Sequence, residues 1–183
     1  NVYNEGTLAY LTNNGATRVC LPVELPGDAI RALAEKQLCD IEVQAWGRMP
    51  LAISARCYHA RSHGLHKDGC QYVCDIDPDG LDVMTVDKQP FLTVNGTQTL
   101  SSSCLSLLPE LEDLSASGVN HFRLSPQTVD MVKVATIFRD VLDGADHSTE
   151  GEVKLAAMNS GFVTSNGFVH GDEGWRLIKE VQN

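Results

Sequence analysis

The sequence predicts an α/β fold: the C-terminal part of a TIM-barrel-like fold of alternating strands and helices, with a small β region inserted in it. The first 46 residues alternate helix and strand signals, and the same alternation returns near residue 118. Residues 75–103 between them consist of short strand-like runs. We therefore expect residues 1–183 to form a single domain, and 75–103 to be a β-hairpin excursion within it.

The first part of the chain has the order helix, strand, helix, strand. The expected elements are a helix over residues 5–14, a strand over 17–23, a helix over 26–37 and a strand over 39–46. The second helix has Pro26 at its first position and Asp28 in its first turn, both typical of a helix N-terminus. Its apolar face comprises Ala29, Ile30, Leu33 and Ala34. This order implies parallel strands.

The same order of elements is repeated in the second half of the chain. When the sequence is aligned on itself with Gly15 opposite Gly118, the predicted strand after Gly15 matches a predicted strand after Gly118. Each of these strands is followed by a turn with proline and an amphipathic helix. The second of these helices is expected to end at Gly144. Its apolar stripe comprises Met131, Val134, Ala135, Phe138, Val141 and Leu142. A closed eight-stranded βα barrel typically needs about 250 residues, so if the fold is a barrel, this chain is a C-terminal part of one.

The excursion is expected to contain three strands, over residues 81–87, 90–96 and 97–103. Asn95-Gly96 is typical of a type I′ hairpin turn between the last two. The preceding acidic segment, with Asp75, Asp77 and Asp79, imitates the start of a calcium-binding EF-hand loop. Val86 stands where such a loop needs a bidentate glutamate, so we interpret the segment as a solvated acidic turn.

Composition excludes some classes of function. The chain has 14 Lys and Arg against 24 Asp and Glu, a net charge of −10, and it lacks the basic tract expected of a nucleic-acid-binding surface. No apolar run approaches the ~18 residues that span a bilayer. The six cysteines are irregularly spaced, which favours free thiols in the cytoplasm over a disulfide framework. The chain begins at Asn1, so an N-terminal targeting segment remains an open possibility.

Residues 55–74, which we call the cysteine segment, contain three of the six cysteines and three of the six histidines. Cys57, Cys70 and Cys74 have the spacing C-x12-C-x3-C. Thiolates with this kind of spacing bind iron–sulfur clusters or zinc, and both take four ligands. Spacing alone leaves an iron–sulfur cluster, zinc and unliganded thiols all open. Candidates for a fourth ligand are Cys20, Cys39, Cys104, His59, His63 and His66.

The chain carries no G-x-S-x-G, P-loop or G-x-G-x-x-G motif. Glu24 follows the first predicted strand, Glu42 lies in the next, and Arg48 comes just beyond it. In a βα barrel the C-terminal ends of the strands form the active face. On placement alone, these three are the polar residues most suited to contact a substrate.

Several motifs together resemble the collagenase-like peptidase family thirty-two of the unclassified peptidases. The motif E-V-x-x-x-G stands at Glu42, Val43 and Gly47, and it is followed by R-C at Arg56-Cys57. A glycine and two further cysteines complete the pattern at Gly69, Cys70 and Cys74. The resemblance covers essentially the whole chain and is most specific in the cysteine segment. The chain is similar to the C-terminal two-thirds of proteins in one branch of the family, which acts in ubiquinone biosynthesis.

The resemblance implies a [4Fe-4S] cluster, with Cys57, Cys70 and Cys74 as three of its ligands. The fourth ligand is expected upstream of this chain, and Cys104 is the alternative within it. The implied activity is an oxygen-independent hydroxylation in anaerobic ubiquinone synthesis, performed as a heterodimer with a UbiU-like sibling subunit. A ubiquinone precursor and prephenate, the oxygen source, are the implied small-molecule substrates. No catalytic residue is assigned.

Other members of the family imply other activities. An RNA-base hydroxylation factor is one alternative, although the acidic composition disfavours it. A collagenase-like peptidase or a zinc-stabilised binding module are others, and the chain shows no nucleophile motif that would support the peptidase. Family members often carry His at the position of Trp46, and the indole of this chain cannot perform the role that the imidazole has in those members.

Overall fold

A computed structural model describes residues 1–158 and 161–179. The end of the predicted single domain, residues 180–183, lies outside this part. The helices are α1 (Glu5–Asn13), α2 (Gly27–Ala34), α3 (Tyr58–Ser62), α4 (Leu111–Ala116), α5 (Met131–Leu142) and α6 (Ser148–Ala157). The strands are β1 (Arg18–Cys20), β2 (Asp40–Ile53), β3 (Leu81–Met84), β4 (Pro90–Asn95), β5 (Gln98–Ser106), β6 (His121–Leu124) and β7 (Thr164–Ser165). Three 3₁₀ turns cover Lys67–Gly69, Val73–Ile76 and Gly167–His170.

The strands form one mixed sheet centred on β2, which confirms the predicted α/β class. The order is β1-β2-β5-β4-β3, with β6 paired to β2 and β7 paired to β5. The first half of β2 pairs in parallel with β1 and with β6. Its second half pairs antiparallel with β5, which continues into the antiparallel strands β4 and β3. The sheet therefore has a parallel part and an antiparallel part that share one strand.

β2 extends to Ile53, seven residues beyond the predicted end of this strand at residue 46. Its pairing with β5 shifts register on both sides of Pro50. Proline lacks the N–H that a regular ladder requires, and bulges are where strands accommodate it. The prediction ended the strand too early because Gly47 and Pro50 read as breakers, whereas in the fold both lie inside an irregular strand.

The two amphipathic helices are present at the predicted places. α2 begins at Gly27 and buries Ile30, Leu33 and Ala34, as predicted, although Pro26 is its N-cap and not its first residue. α5 ends at Leu142, and its side chains show one difference from the predicted stripe. Ile137 is buried in the core while Ala135 is exposed. The helix packs against α4 and α6, two contacts that the sequence pattern could not predict.

The predicted type I′ turn is wrong. Asn95 and Gln98 are the last paired residues of β4 and β5, so the two central residues of the loop are Gly96 and Thr97. Gly96 has a φ of 60°, whereas Thr97 is not among the residues with positive φ. A type I′ turn requires positive φ at both central positions. The hairpin is there, but its turn is shifted by one residue.

The two faces of the parallel strands differ in character. Val19, Ile41 and Val43 are buried and belong to the apolar core that packs beneath the helices. Because successive side chains alternate across a strand, their neighbours Arg18 and Glu42 point to the opposite face. That face is polar, and it becomes important below. In the described ranges, no helix has the length and apolar character to cross a membrane.

Candidate metal centre

The three cysteines of the predicted C-x12-C-x3-C pattern lie on the connection between β2 and β3. Cys57 is the N-cap of α3 and is buried, with its Sγ accepting a hydrogen bond from the Ala60 N–H at 3.3 Å. Cys70 is half-buried and accepts from the Tyr72 N–H at 3.5 Å. Cys74 is half-buried within the second 3₁₀ turn. All three are free thiols, so the donor type suits a soft metal or an iron–sulfur cluster.

The backbone between Cys70 and Cys74 is strained. Gln71 and Tyr72 both have a φ of 54°, in the left-handed region that residues with a Cβ avoid. The side chain of Tyr72 is exposed, so packing of its ring does not account for this conformation. Consecutive non-glycine residues in this region cost of the order of 1 kcal/mol each or more, and such strain concentrates at functional turns.

His59 anchors the cysteine segment from inside. Its imidazole has no exposed surface, and its Nε2 lies 3.0 Å from Oδ2 of Asp77, immediately after the turn that carries Cys74. His63 stacks on it, with ring centroids 5.7 Å apart and the planes 7° from parallel. Sequence reasoning gave His59, His63 and His66 equal standing as possible ligands. In the structure the burial of His59 distinguishes it from the other two, and the sequence does not indicate which of the three histidines is buried.

The acidic turn is less solvated than predicted. Asp77 is only partly exposed because it contacts His59. Asp79 accepts a hydrogen bond from the Thr128 N–H at 2.7 Å and also contacts the Thr128 hydroxyl, so it ties the excursion to the loop before α5. The interpretation of this segment as a solvated turn is wrong for these two carboxylates, because each contacts another part of the fold.

As arranged, the cysteines do not complete a metal site. Within residues 1–158 and 161–179, no three His, Cys, Asp or Glu side chains are grouped closely enough to hold a metal ion. The three thiols of the cysteine segment are also one short of the four ligands that a [4Fe-4S] cluster takes. The donor chemistry suits such a cluster, of which these cysteines would hold three of the four ligand positions.

Cys104, the alternative fourth ligand within the chain, lies in the hydrophobic core on β5. Its side chain is fully buried, and burial raises the pKa of its thiol to about 12. Without a bound metal, this thiol is therefore protonated near neutral pH. Of the other candidates, Cys20 is exposed on β1 and Cys39 is half-buried just before β2. His66 is exposed.

The three polar residues selected from strand placement have different environments. The carboxylate of Glu24 accepts a hydrogen bond from the hydroxyl of Tyr3 at the surface. Arg48 is buried, and its Nη1 donates to two backbone carbonyls, of Ser101 at 2.9 Å and Ser102 at 2.7 Å. Arg48 therefore holds β5 against β2. Glu42 alone faces an open cleft.

Trp46 is buried at the end of the parallel part of β2. Its ring meets that of Phe138 edge to face, with centroids 6.2 Å apart, so it is a core residue of the β2–α5 contact. Its Nε1–H is buried without a hydrogen-bond partner in the described part of the chain. An indole in this environment provides packing and no proton-transfer chemistry.

The sequence model of peptidase family U32 matches residues 1–179. The chain belongs to peptidase family U32. No solved structure matches the chain significantly. The motif E-V-x-x-x-G that resembled this family has a structural basis in this U32 chain: Gly47 has a φ of 103°, and a Cβ there would lie 2.6 Å from the carbonyl oxygen of Ser125.

Proposed function

We propose that this chain is the cysteine-bearing portion of an iron–sulfur protein in an oxygen-independent hydroxylation system. The observation that carries the proposal is the occurrence of three free cysteines with C-x12-C-x3-C spacing in a chain of family U32. The motifs resemble the UbiV branch, also called YhbV. On that resemblance, the enclosing fold is the C-terminal part of a TIM-barrel-like domain, and the protein acts with a UbiU-like partner in the cytoplasm.

The proposed role of the cysteine segment is to supply Cys57, Cys70 and Cys74 as three thiolate ligands. When bound, a [4Fe-4S] cluster supplies one-electron transfer. Backbone N–H groups already donate to the sulfurs of Cys57 and Cys70, and such hydrogen bonds help to orient metal ligands. The fourth ligand comes from outside the segment. On the resemblance it lies upstream of this chain, and Cys104 is the alternative within it.

Anaerobic reconstitution with iron and sulfide tests the cluster. We expect about four irons and four sulfides per protein when all four ligands are present, with the electron paramagnetic resonance signal of a reduced [4Fe-4S] cluster. Replacing Cys57, Cys70 or Cys74 by serine should lower the iron content by more than half, while Cys39→Ser should leave it unchanged. An iron-free wild-type protein, or serine variants that bind as much iron as wild type, would overturn the proposal.

The proposed pathway is tested in a deletion strain grown without oxygen. We expect an unhydroxylated ubiquinone precursor to accumulate, with restoration of the quinone by wild type and not by Cys70→Ser. RNA nucleosides from the same cells serve as the comparison. Normal quinone together with an unhydroxylated RNA base would reject the quinone role and support the RNA-base hydroxylation factor.

A collagenase-like peptidase is a second candidate, favoured by the description of the family as peptidases. A serine and a histidine meet at Ser62 and His63, where Oγ and Nδ1 are 3.1 Å apart. The Ser62 hydroxyl donates to the His59 carbonyl at 2.7 Å, so its proton is not directed at the imidazole as in a nucleophile–base pair. Gelatin cleavage that follows the purified protein and is lost in Ser62→Ala would support this candidate.

A further inference from the structure

The polar face of the parallel strands carries a cluster of three charged residues. Glu42 on β2 lies between Arg18 on β1 and Arg123 on β6. Arg18 Nη1 is 3.8 Å from one oxygen of Glu42, and Arg123 Nε is 3.9 Å from the other. We call these three residues the strand-face cluster. Both arginines are oriented by one carboxylate, at distances too long for hydrogen bonds.

Most guanidinium donors of this cluster remain available. Among the described residues, the Arg18 side chain makes no hydrogen bond, and the Arg123 side chain makes one, from Nη2 to Oε1 of Gln44 at 3.3 Å. Gln44 is itself buried and fixed, because its Nε2 donates to the backbone carbonyl of Arg48 at 3.0 Å. The Arg123 side chain is therefore positioned by a rigid neighbour while about two-fifths of it is exposed.

The strand-face cluster opens into a cleft of about 1110 Å³. Its lining includes β6 and, on α5, the partly exposed apolar side chains of Met131 and Leu142. The other ionic side chains along the cleft already have partners. His121 lies 3.1 Å from Asp40, and Arg139 lies 3.4 Å from Asp143.

We propose that this cleft binds a small organic monocarboxylate with an apolar body. The fork of donors on a guanidinium matches the two oxygens of a carboxylate. Two arginines against one glutamate leave a net charge of about +1 on the cluster, which attracts an anion. The apolar wall of α5 accepts the hydrocarbon part of the ligand.

Calorimetric titration of the full chain with 3-phenylpropanoate tests this site. We expect saturable binding, with acetate and inorganic phosphate much weaker because neither has an apolar body. Arg18→Gln and Arg123→Gln should each weaken binding about tenfold, the loss of a charge-assisted hydrogen bond. The matched control is Arg139→Gln, which removes a charge from the same cleft outside the strand-face cluster and should change affinity less than twofold.

Three outcomes would overturn the inference: no binding of 3-phenylpropanoate, equal binding to wild type and the two strand-face variants, or an equal loss in Arg139→Gln. Phosphate binding tighter than 3-phenylpropanoate would likewise overturn the choice of ligand class. Arg18→Lys tests whether misfolding causes a loss of binding. Because lysine keeps the charge, this variant should bind more weakly while its melting temperature stays unchanged. None of these residues lies in the cysteine segment, so iron content tests the proposed function separately.

Discussion

At the scale of single residues, Gly47 shows why a short motif can be so specific. Its φ of 103° is a conformation that side chains rarely adopt, and the backbone of Ser125 occupies the space where a Cβ would be. Ser125 also donates its N–H to the Trp46 carbonyl at 2.9 Å. The loop after β6 therefore lies directly against β2, and only glycine allows this approach.

Replacing Gly47 by alanine should destabilise the fold by about 3 kcal/mol or more, because it combines left-handed strain of ~1–2 kcal/mol with a backbone clash. Gly15 is the matched control: its φ is 95°, but nothing lies within 4 Å of a Cβ there. Gly15→Ala should therefore cost only the strain. Urea unfolding of both variants measures the difference, and equal losses would show that the contact with Ser125 contributes nothing.

At the scale of elements, α3 and the second 3₁₀ turn form a unit held by a buried pair. The His59 imidazole on α3 contacts Asp77 just after the turn, and Cys57 and Cys74 lie on these two elements. The His59 Nδ1 is buried without a partner in the described residues, which makes the contact with Asp77 the polar interaction that holds this ring.

We expect His59→Gln to loosen the cysteine segment, lowering the free energy of unfolding by about 1 kcal/mol, since it weakens the hydrogen bond to the partly exposed Asp77 carboxylate. Limited proteolysis within residues 55–77 should become several times faster. His63→Gln is the control, because His63 is exposed and stacks on the outer side of His59. Similar cleavage rates for both variants would refute the anchoring role.

At the scale of the whole molecule, the C-terminal part is attached to the sheet through a buried polar network. Asn166 donates to Oε1 of Glu110 at 2.7 Å and bonds the backbone of Ile178 in both directions, at 3.0 and 2.7 Å. His170 Nε2 lies 2.7 Å from the same oxygen of Glu110. The second oxygen, Oε2, is buried without a partner in the described residues. The Glu110 carboxylate at the start of α4 thus contacts Asn166 and His170, which lie 56 and 60 residues further along the chain.

This network predicts a pH dependence of stability. Burial raises the pKa of Glu110 above its ordinary value of 4.5, and hydrogen bonds from His170 and Asn166 offset only part of that rise. A raised pKa in the folded state means that the folded protein binds the proton more tightly than the unfolded one. The contribution of Glu110 is therefore complete below about pH 4.5 and is lost as the pH rises through the raised value.

Glu110→Gln removes this titration and keeps an acceptor for Asn166. From pH 4.5 to 7, wild type should lose stability relative to the variant, as measured by urea unfolding at several pH values. Glu112→Gln, an exposed neighbour on α4, is the control and should follow wild type. A wild-type curve that rises relative to Glu110→Gln over this range would contradict the raised pKa.

The sequence by itself determined the α/β class, the positions of α2 and α5, and the family to which the chain belongs. These features depend on local periodicity and on short motifs, and both are written in neighbouring residues. It also selected Cys57, Cys70 and Cys74 as the candidate ligands, a choice that remains a prediction. Glu42 was selected for its place on a strand, without any indication of its partners.

Only the tertiary structure decided how distant residues meet. Arg18 and Arg123 are 105 positions apart in the chain, and they converge on Glu42 because β1 and β6 flank β2. The burial of His59, the raised pKa of Cys104 and the continuation of β2 through Pro50 likewise follow from packing against elements remote in sequence. Burial and electrostatics are sums over such neighbours, so no local pattern could have supplied them.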